Sequence, residues 1–384
     1  MLLKNNDIQI FELNNKGSFM PIGGINEFTS LMWPDKFNGY DSFELHAPIT
    51  KENKALLKKG NFIWCGGDNA AIIEIIASDI SSEGEKTLVV KGRTLEVILT
   101  TRIIWGTYHC MNKYSSTAMY EIVKSQCINV DEFRKIPFLE CAEDEQLGKV
   151  ISFQKTGGEV YDAVQNIAAD SDLGFDILFR PKEKKLIFKV NQGVDRSVMP
   201  MSDDDNSKFV IFSTDLEDIL SSSYYTNDQD LKTLAYVAGE GEGADRKYII
   251  SGNNASAGFE RRELYVDARD IQSEIRSEDG TVTTLNEHNY RELLDNRGVE
   301  KLAECSTTES FEAKMRVVGN VQYVYGVDYF KGDKVIIEDT ELGVQIVAKV
   351  TEASENIDDE YELILTFGYS HPTLIQKIKR QIYS

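Results

Sequence analysis

Three alternating strands close this sequence, and they constrain its fold more than any other segment. The turn Gly332-Asp333 opens the first strand, residues 343–352 form the second, and residues 361–368 form the third. Apolar and polar residues alternate in each stretch, which is the period-two pattern of a strand with one buried face. Short turns between such strands predict an antiparallel meander.

The other end of the chain shows the same alternation, and we predict an N-terminal β-domain over residues 1–105. Residues 62–65 and 72–76 predict a hairpin whose loop is residues 66–69. We expect residues 34–41 to form a long turn between two strands.

Helical patterns separate the two β-rich ends. In a helical insert over residues 106–150, Ser115 and Ser116 are candidate N-caps. One face of the following helix is apolar, with residues spaced at i, i+3, i+4 and i+8: Met119, Ile122, Val123 and Cys127.

A helix followed by a hairpin is predicted over residues 151–205. Residues 156–159 have the spacing of a capping box, and we expect Gly174 to end the helix. The apolar stripe of this helix is formed by Val160, Ala163, Val164, Ile167 and Ala168. Phe175, Ile177 and Phe179 then alternate, and their partner strand carries Leu186, Phe188 and Val190.

A second β-domain is predicted over residues 206–384, with a helical insert near residues 285–305. Its further strands are expected at residues 209–214, 220–226, 231–238, 246–251 and 262–266. Two helices are expected, at residues 287–296 and 299–305, and Tyr290, Leu293 and Leu294 mark the buried face of the first. The predicted fold class is therefore β-rich α+β, with two barrel- or sandwich-like β-domains and small α/β units between them.

Length and charge bound the function. A chain of 384 residues is long enough for two to four domains. Its net charge of -21 disfavours nonspecific binding to nucleic acid, which depends on Lys and Arg. The first residues have no apolar core behind their charge, so we expect no signal peptide, and no run of eighteen apolar residues predicts a membrane span.

Cysteine and histidine spacing points to no metal or disulfide framework. The five cysteines contain no Cys-x-x-Cys pair, and the four histidines, His46, His109, His288 and His371, lie far apart. His109 and Cys110 are adjacent, so a catalytic Cys-His pair stays an alternative. The aromatic residues around Cys110 favour a packing role for its side chain instead.

Glycine-rich and acidic segments are further candidates for ligand sites. Residues 239–243, Gly-Glu-Gly-Glu-Gly, lack the Lys-Ser/Thr of a phosphate loop, and a strand rather than a helix is predicted after them. The acidic runs at residues 203–206 and 358–360 lack EF-hand spacing. We predict no catalytic, cofactor-binding or metal-binding residues, although a pair of glycosidase carboxylates is invisible among 63 acids.

Several short motifs carry a family resemblance. They are Gly332-Asp333-x-Val335, Ala348-x-Val350-Thr351-Glu352, Leu363-x-Leu365-x-Phe367-Gly368, and the Gly-Glu-Gly turn followed by Arg246. Together with the order of elements, they resemble baseplate and tail-tip hub proteins of tailed phages, the group that includes the structural N-terminal part of siphophage tail-associated lysins.

The resemblance implies a structural hub of a phage or prophage tail rather than an enzyme. It implies a homotrimeric ring in the virion tail, assembled in the bacterial host cytoplasm, that joins the tail tube to distal tip proteins and lets DNA pass without binding it. Lysin-bearing relatives would continue past Ser384, which puts peptidoglycan hydrolysis in doubt. A cell-wall hydrolase and a carbohydrate-binding adhesin remain the alternatives. A basic helix is expected over the last residues, where it complements the helix dipole or docks an acidic partner.

Overall fold

A computed structural model describes most of the chain. The described residues are 8–13, 19–80, 86–198, 208–216, 218–276, 282–316, 321–339, 344–358 and 360–368. The basic segment at the C-terminus, His371 and the acidic run at residues 203–206 lie outside these ranges.

Strands dominate the fold. In chain order they are β1 (Ile8–Leu13), β2 (Phe19–Ile25), β3 (Ser30–Lys36), β4 (Ser42–Pro48), β5 (Phe62–Trp64), β6 (Ala70–Ile80), β7 (Lys86–Thr94), β8 (Thr107–Tyr114), β9 (Leu139–Cys141), β10 (Val150–Thr156), β11 (Gly174–Arg180), β12 (Lys185–Asn191), β13 (Ile211–Ser213), β14 (Ile219–Asn227), β15 (Leu234–Ala238), β16 (Tyr248–Gly252), β17 (Glu263–Asp267), β18 (Glu274–Arg276), β19 (Val282–Thr284), β20 (Thr308–Met315), β21 (Lys334–Asp339), β22 (Val344–Ile357) and β23 (Tyr361–Gly368).

Helices are fewer and short. They are α1 (Lys51–Leu56), α2 (Ser115–Val123), α3 (Val160–Asp170) and α4 (Glu287–Glu304). A π-helical turn, Lys124–Ile128, extends α2, and 3-10 segments occur at Leu95–Thr101, Gly243–Asp245 and Gly258–Glu260. Within the described residues no helix is both long and apolar enough to cross a membrane.

Both ends of the chain contribute to one 13-stranded sheet. Its order is β14-β20-β23-β22-β3-β4-β7-β6-β5-β1-β2, and β21 with β13 branches from β22. We call strands β1–β7 the N-terminal β-region and strands β13, β14 and β20–β23 the C-terminal β-region. In the part of the chain that is described, this path stays open rather than closing into a barrel.

Smaller units pack beside this sheet. The middle unit combines the pair β8 and β10, the sheet β11-β12-β9, and helices α2 and α3. What we call the α4 unit combines the sheet β16-β15-β17, the pair β18 and β19, and α4. Each β-region and the α4 unit has its own apolar core, and the core of the middle unit extends to Phe11, Phe19 and Phe62 of the N-terminal β-region.

The predicted fold class is confirmed, and so are the closing meander and the hairpins β5–β6 and β11–β12. The four residues predicted on one face of α2 and the five on the stripe of α3 are buried. The predicted division of the chain at residues 105, 150 and 205 stays a prediction.

Several predicted boundaries are wrong. Thr156 ends β10 and Glu159 precedes α3 without a side-chain cap, so the capping box does not form. That helix ends at Asp170, and Gly174 instead starts β11. Neither Ser115 nor Ser116 is an N-cap, because both lie inside α2, where Ser115 Oγ donates to Lys149 O at 2.8 Å.

Two further differences reflect tertiary packing. Residues 34–36 belong to β3 rather than to a long turn, since β22 pairs with them. The two helices predicted around residue 298 are one helix, α4. Gly298 lies inside it, where a larger residue would be too close to its neighbour, because a Cβ there would lie 2.3 Å from Ser251 Oγ.

Candidate functional site

A continuous ladder joins the two β-regions, and we call it the seam. Residues 352–357 of β22 pair antiparallel with residues 31–36 of β3, with Glu352 opposite Lys36 and Ile357 opposite Leu31. The ladder satisfies the backbone donors and acceptors of two strands that would otherwise be sheet edges. The two β-regions are therefore joined side by side.

A buried ammonium lies beside the seam. Lys331 Nζ is 2.5 Å from Asp176 Oδ1 of the middle unit, contacts Asp35 Oδ1 of β3, and donates to Lys36 O at 3.1 Å. The side chains of Lys331, Asp35 and Asp176 are 14%, 9% and 9% exposed. One lysine from the C-terminal β-region thus contacts both other parts of the molecule.

Asp35 has neutral partners as well. Tyr325 OH donates to Asp35 Oδ2 at 2.9 Å, and Asn69 Nδ2 donates to Asp35 Oδ1 at 2.9 Å. A buried carboxylate is tolerated only when its oxygens are paired and hydrogen-bonded, and both oxygens of Asp35 meet that condition.

Burial and neighbouring charges shift the pKa values of the side chains in this cluster. Burial opposes the charge of Lys331, but Asp176, Asp35 and Glu96 outweigh burial and raise the pKa of Lys331. Burial, with the nearby charge of Asp176, raises the pKa of Glu96 to about 7. Burial also raises the pKa of Asp176, against the opposing charge of Lys331.

A second buried lysine lies in the seam itself. Lys36 Nζ is 3.2 Å from Asp41 Oδ2 and 3.7 Å from Glu352 Oε2. Burial lowers the pKa of Lys36, but the two carboxylates outweigh it and raise the value. Burial raises the pKa of Glu352 to about 7, against the opposing effect of Lys36.

The turn before β21 is clamped to the preceding segment. Arg196 Nε donates to Asp333 Oδ2 at 2.5 Å, and Val194 N donates to Asp333 Oδ1 at 2.8 Å. Gly193 allows this approach, because a Cβ there would lie 1.8 Å from Gly332 O. Lys349 of β22 also contacts Asp172 of the middle unit. These ion pairs and hydrogen bonds hold separate parts of the chain in one geometry.

The histidines and cysteines do not converge in the described part of the chain. His46 Nε2 lies 2.7 Å from Glu44 Oε1, and His288 lies at the start of α4. Burial lowers the pKa of His109 and raises the pKa of Cys110. A nucleophilic cysteine needs a lowered thiol pKa, so these shifts favour packing for Cys110. Burial likewise raises the pKa of Cys141 to about 11 and that of Cys127 to about 12.

The glycine-rich segment lies in the loop of a hairpin between the antiparallel strands β15 and β16, so a strand follows it as predicted. Arg246 closes it by donating to Gly239 O and Ala238 O at 3.0 Å and to Asp267 Oδ1 at 2.6 Å. Of the run at residues 358–360, Asp358 and Glu360 are described and lie between β22 and β23. Among the described residues, no three His, Cys, Asp or Glu side chains are grouped to hold a metal ion.

The family comparison gives one match that spans nearly the whole chain. The model of the family described as "Siphovirus ReqiPepy6 Gp37-like protein" matches residues 8–369. No curated protein sequence matches this chain.

Tail proteins from Neisseria and Shewanella share the fold over most of their length, and a third solved structure is similar at a lower score. A tail protein from Neisseria meningitidis MC58 is 14% identical, with a TM-score of 0.52 and coverage of 95% of this chain and 99% of that one. The prophage MuSo2 43 kDa tail protein from Shewanella oneidensis is 8% identical, with a TM-score of 0.50 and coverage of 95% and 98%. Prophage tail protein gp18 from Listeria monocytogenes EGD-e is 11% identical, with a TM-score of 0.49 and coverage of 98% of each chain.

Proposed function

From its membership of the Siphovirus ReqiPepy6 Gp37-like family, to which this chain belongs, we propose that it is a structural hub at the distal end of a phage or prophage tail. A structural role in the tail is supported by the family and by a fold shared with tail proteins of Neisseria and Shewanella. The resemblance in the closing meander agrees with the family match. The hub forms a homotrimeric ring that joins the tail tube to distal tip proteins.

The seam is the main structural observation that supports the proposed ring. Two β-regions with separate apolar cores lie side by side on one ladder, and buried ion pairs hold their relative orientation. Three copies of such a chain present six β-regions around an axis. That number suits a ring placed between a sixfold tube and threefold tip components.

The acidic composition supports passage of DNA without capture. Acids outnumber bases by 63 to 42 along the chain, and affinity for phosphates requires Lys and Arg. We propose that acidic residues line part of the opening of the ring. Raising the salt concentration should leave DNA exclusion nearly unchanged, since an absence of binding sites does not depend on screening. A tight DNA complex at physiological salt would contradict this.

Mass in solution and imaging test the ring. Light scattering and negative-stain images, of the isolated chain and of assembled tails, should show three copies around a central opening. A twofold dimer without an opening, or single copies at the tail tip, would overturn the proposal.

We also propose that the chain has no catalytic activity of its own. The raised pKa values of the Cys127 and Cys141 thiols support this, because a protonated thiol is a poor nucleophile. The test is a turnover assay on purified cell walls. If the chain hydrolyses cell walls, and a single substitution of Cys110 or of one acid abolishes this activity, the result would favour the cell-wall hydrolase instead.

A further inference from the structure

An exposed aromatic and basic surface lies at one end of the middle unit. It is formed by Ile103, Trp105 and Phe133 with the arginines Arg102 and Arg134, and we call it the Trp105 surface. Its apolar side chains are unusually open to solvent, because Ile103 is 50% exposed, Trp105 63% and Phe133 97%. Exposed apolar side chains that are grouped together are typical of interaction sites, whereas a single exposed one is ordinary.

Local contacts hold the Trp105 surface in place. The guanidinium of Arg134 lies over the Trp105 ring, 4.7 Å from its centroid, and donates to Ile103 O at 3.0 Å. Trp105 N donates to Gln126 Oε1 at 2.9 Å, and Phe133 N donates to Asp131 Oδ1 at 3.0 Å. A surface already ordered in the free protein loses little conformational entropy when it binds.

The two arginines lack acidic partners in the described part of the chain. Arg102 donates to the backbone oxygens of Arg134 and Lys135, and Arg134 donates to Ile103 O and to Gln126. The described ion pairs include neither guanidinium. In a chain with a net charge of -21, such a pair of cations beside exposed aromatic rings is complementary to much of the remaining surface.

We propose that the Trp105 surface docks on an acidic face of a second copy of this chain and forms the contact between neighbours in the ring. This rests on the proposed ring hub. Two Trp105 surfaces facing each other would bring like charges together, which disfavours a twofold contact. A contact between different faces of identical chains instead repeats from one copy to the next, and it forms a ring where the rotation between neighbours closes, as the proposed trimer requires.

Matched substitutions test the contact without unfolding the chain. Phe133→Ser changes a side chain that is 97% exposed, and Phe259→Ser changes a fully exposed phenylalanine in the α4 unit as its control. Arg134→Glu reverses one charge of the surface, with Arg291→Glu on α4 as its control. Sedimentation should show association about tenfold weaker or more for Phe133→Ser and Arg134→Glu, and unchanged association for both controls.

A photo-crosslinking residue at position 133 identifies the occupant directly, in the isolated protein and in assembled tails, with position 259 as control. Crosslinks from position 133 to a second copy support the proposal. If rings form but position 133 stays uncrosslinked, or crosslinks to a different tail protein, the proposed contact is overturned while the ring hub stands. If neither preparation contains rings, the hub proposal itself fails.

Discussion

The seam and the attachment of the α4 unit differ in how they join parts of the molecule. At the seam a backbone ladder joins β3 to β22. Beside this ladder, Lys331 forms ion pairs with carboxylates from distant segments. The α4 unit meets the middle unit largely through hydrogen bonds, in which Asn296 donates to Ser152 O at 2.8 Å and Asn166 donates to Glu300 at 2.7 Å. These contacts surround a cavity of about 120 Å³.

Arg297 shows the contrast most clearly. It is buried against the middle unit, donating to Gln154 O at 3.1 Å, but its acidic partners, Asp270 and Glu300, both belong to its own unit. Gln154 Oε1 is buried without a hydrogen-bond partner among the described residues. Charge pairing therefore fixes the two β-regions, whereas the α4 unit is attached by polar contacts that open at lower cost.

The largest expected effect is at the seam. Lys331→Met leaves Asp35 and Asp176 buried without their cation, and should lower the free energy of unfolding by about 3–5 kcal/mol. Denaturant titration measures it. Lys185→Met, which removes an exposed pair with Glu140, is the control and should match the wild type. Equal stability of both variants would mean that the ion cluster does not hold the seam.

Proton binding by Glu96 gives the next largest effect. A carboxyl whose pKa is raised from 4.5 to about 7 on folding stabilises the protein fully below pH 4.5, and this contribution is lost as the pH rises through 7. Glu96→Gln stays neutral and should be more stable than the wild type at pH 8, by up to roughly 3 kcal/mol, but not at pH 4. Unfolding measured for both proteins across this range gives the difference curve. A flat curve would contradict the prediction.

A smaller and more local effect is expected at the α4 unit. Arg297→Met removes the donors to Gln154 O and Asp270, and should cost about 1–2 kcal/mol. Hydrogen exchange should speed up in α4 and β10 and stay unchanged in β3 and β22. Equal acceleration at the seam would show that the two attachments are one cooperative unit.

The smallest expected effect concerns Gly298. Alanine favours a helix by about 1 kcal/mol over glycine, but its Cβ would lie 2.3 Å from Ser251 Oγ and 2.8 Å from Val237 Cγ2. Overpacking costs about 1–3 kcal/mol, so Gly298→Ala should lower stability by about 1 kcal/mol. Thermal melting measures the change, with Val299→Ala at an exposed position of the same helix as control. Stabilisation by Gly298→Ala would show that α4 can move away from its sheet.

Local patterns predicted much of the fold. The alternation in β4 and in the closing meander follows from one buried face, so it needs no knowledge of distant residues. Boundaries were less accurate, because pairing with other elements overrides local signals. Thr156 has the spacing of a helix cap, but it pairs with Thr107 in the ladder of β10 and β8. Two helices were predicted on either side of Gly298, but the chain forms one helix there, with Gly298 close to Ser251 of β16.

The β-rich class, the main hairpins and the apolar faces of the helices could be predicted from the sequence, since they depend on periodicity within a few residues. That the two ends of the chain share one sheet, and that Lys331 is enclosed between them, follows from the folded structure alone. The partners of this lysine, Asp176 and Asp35, are 155 and 296 residues away along the chain. A charged residue becomes buried only where the fold brings an opposite charge within contact distance, and no local pattern encodes that distance.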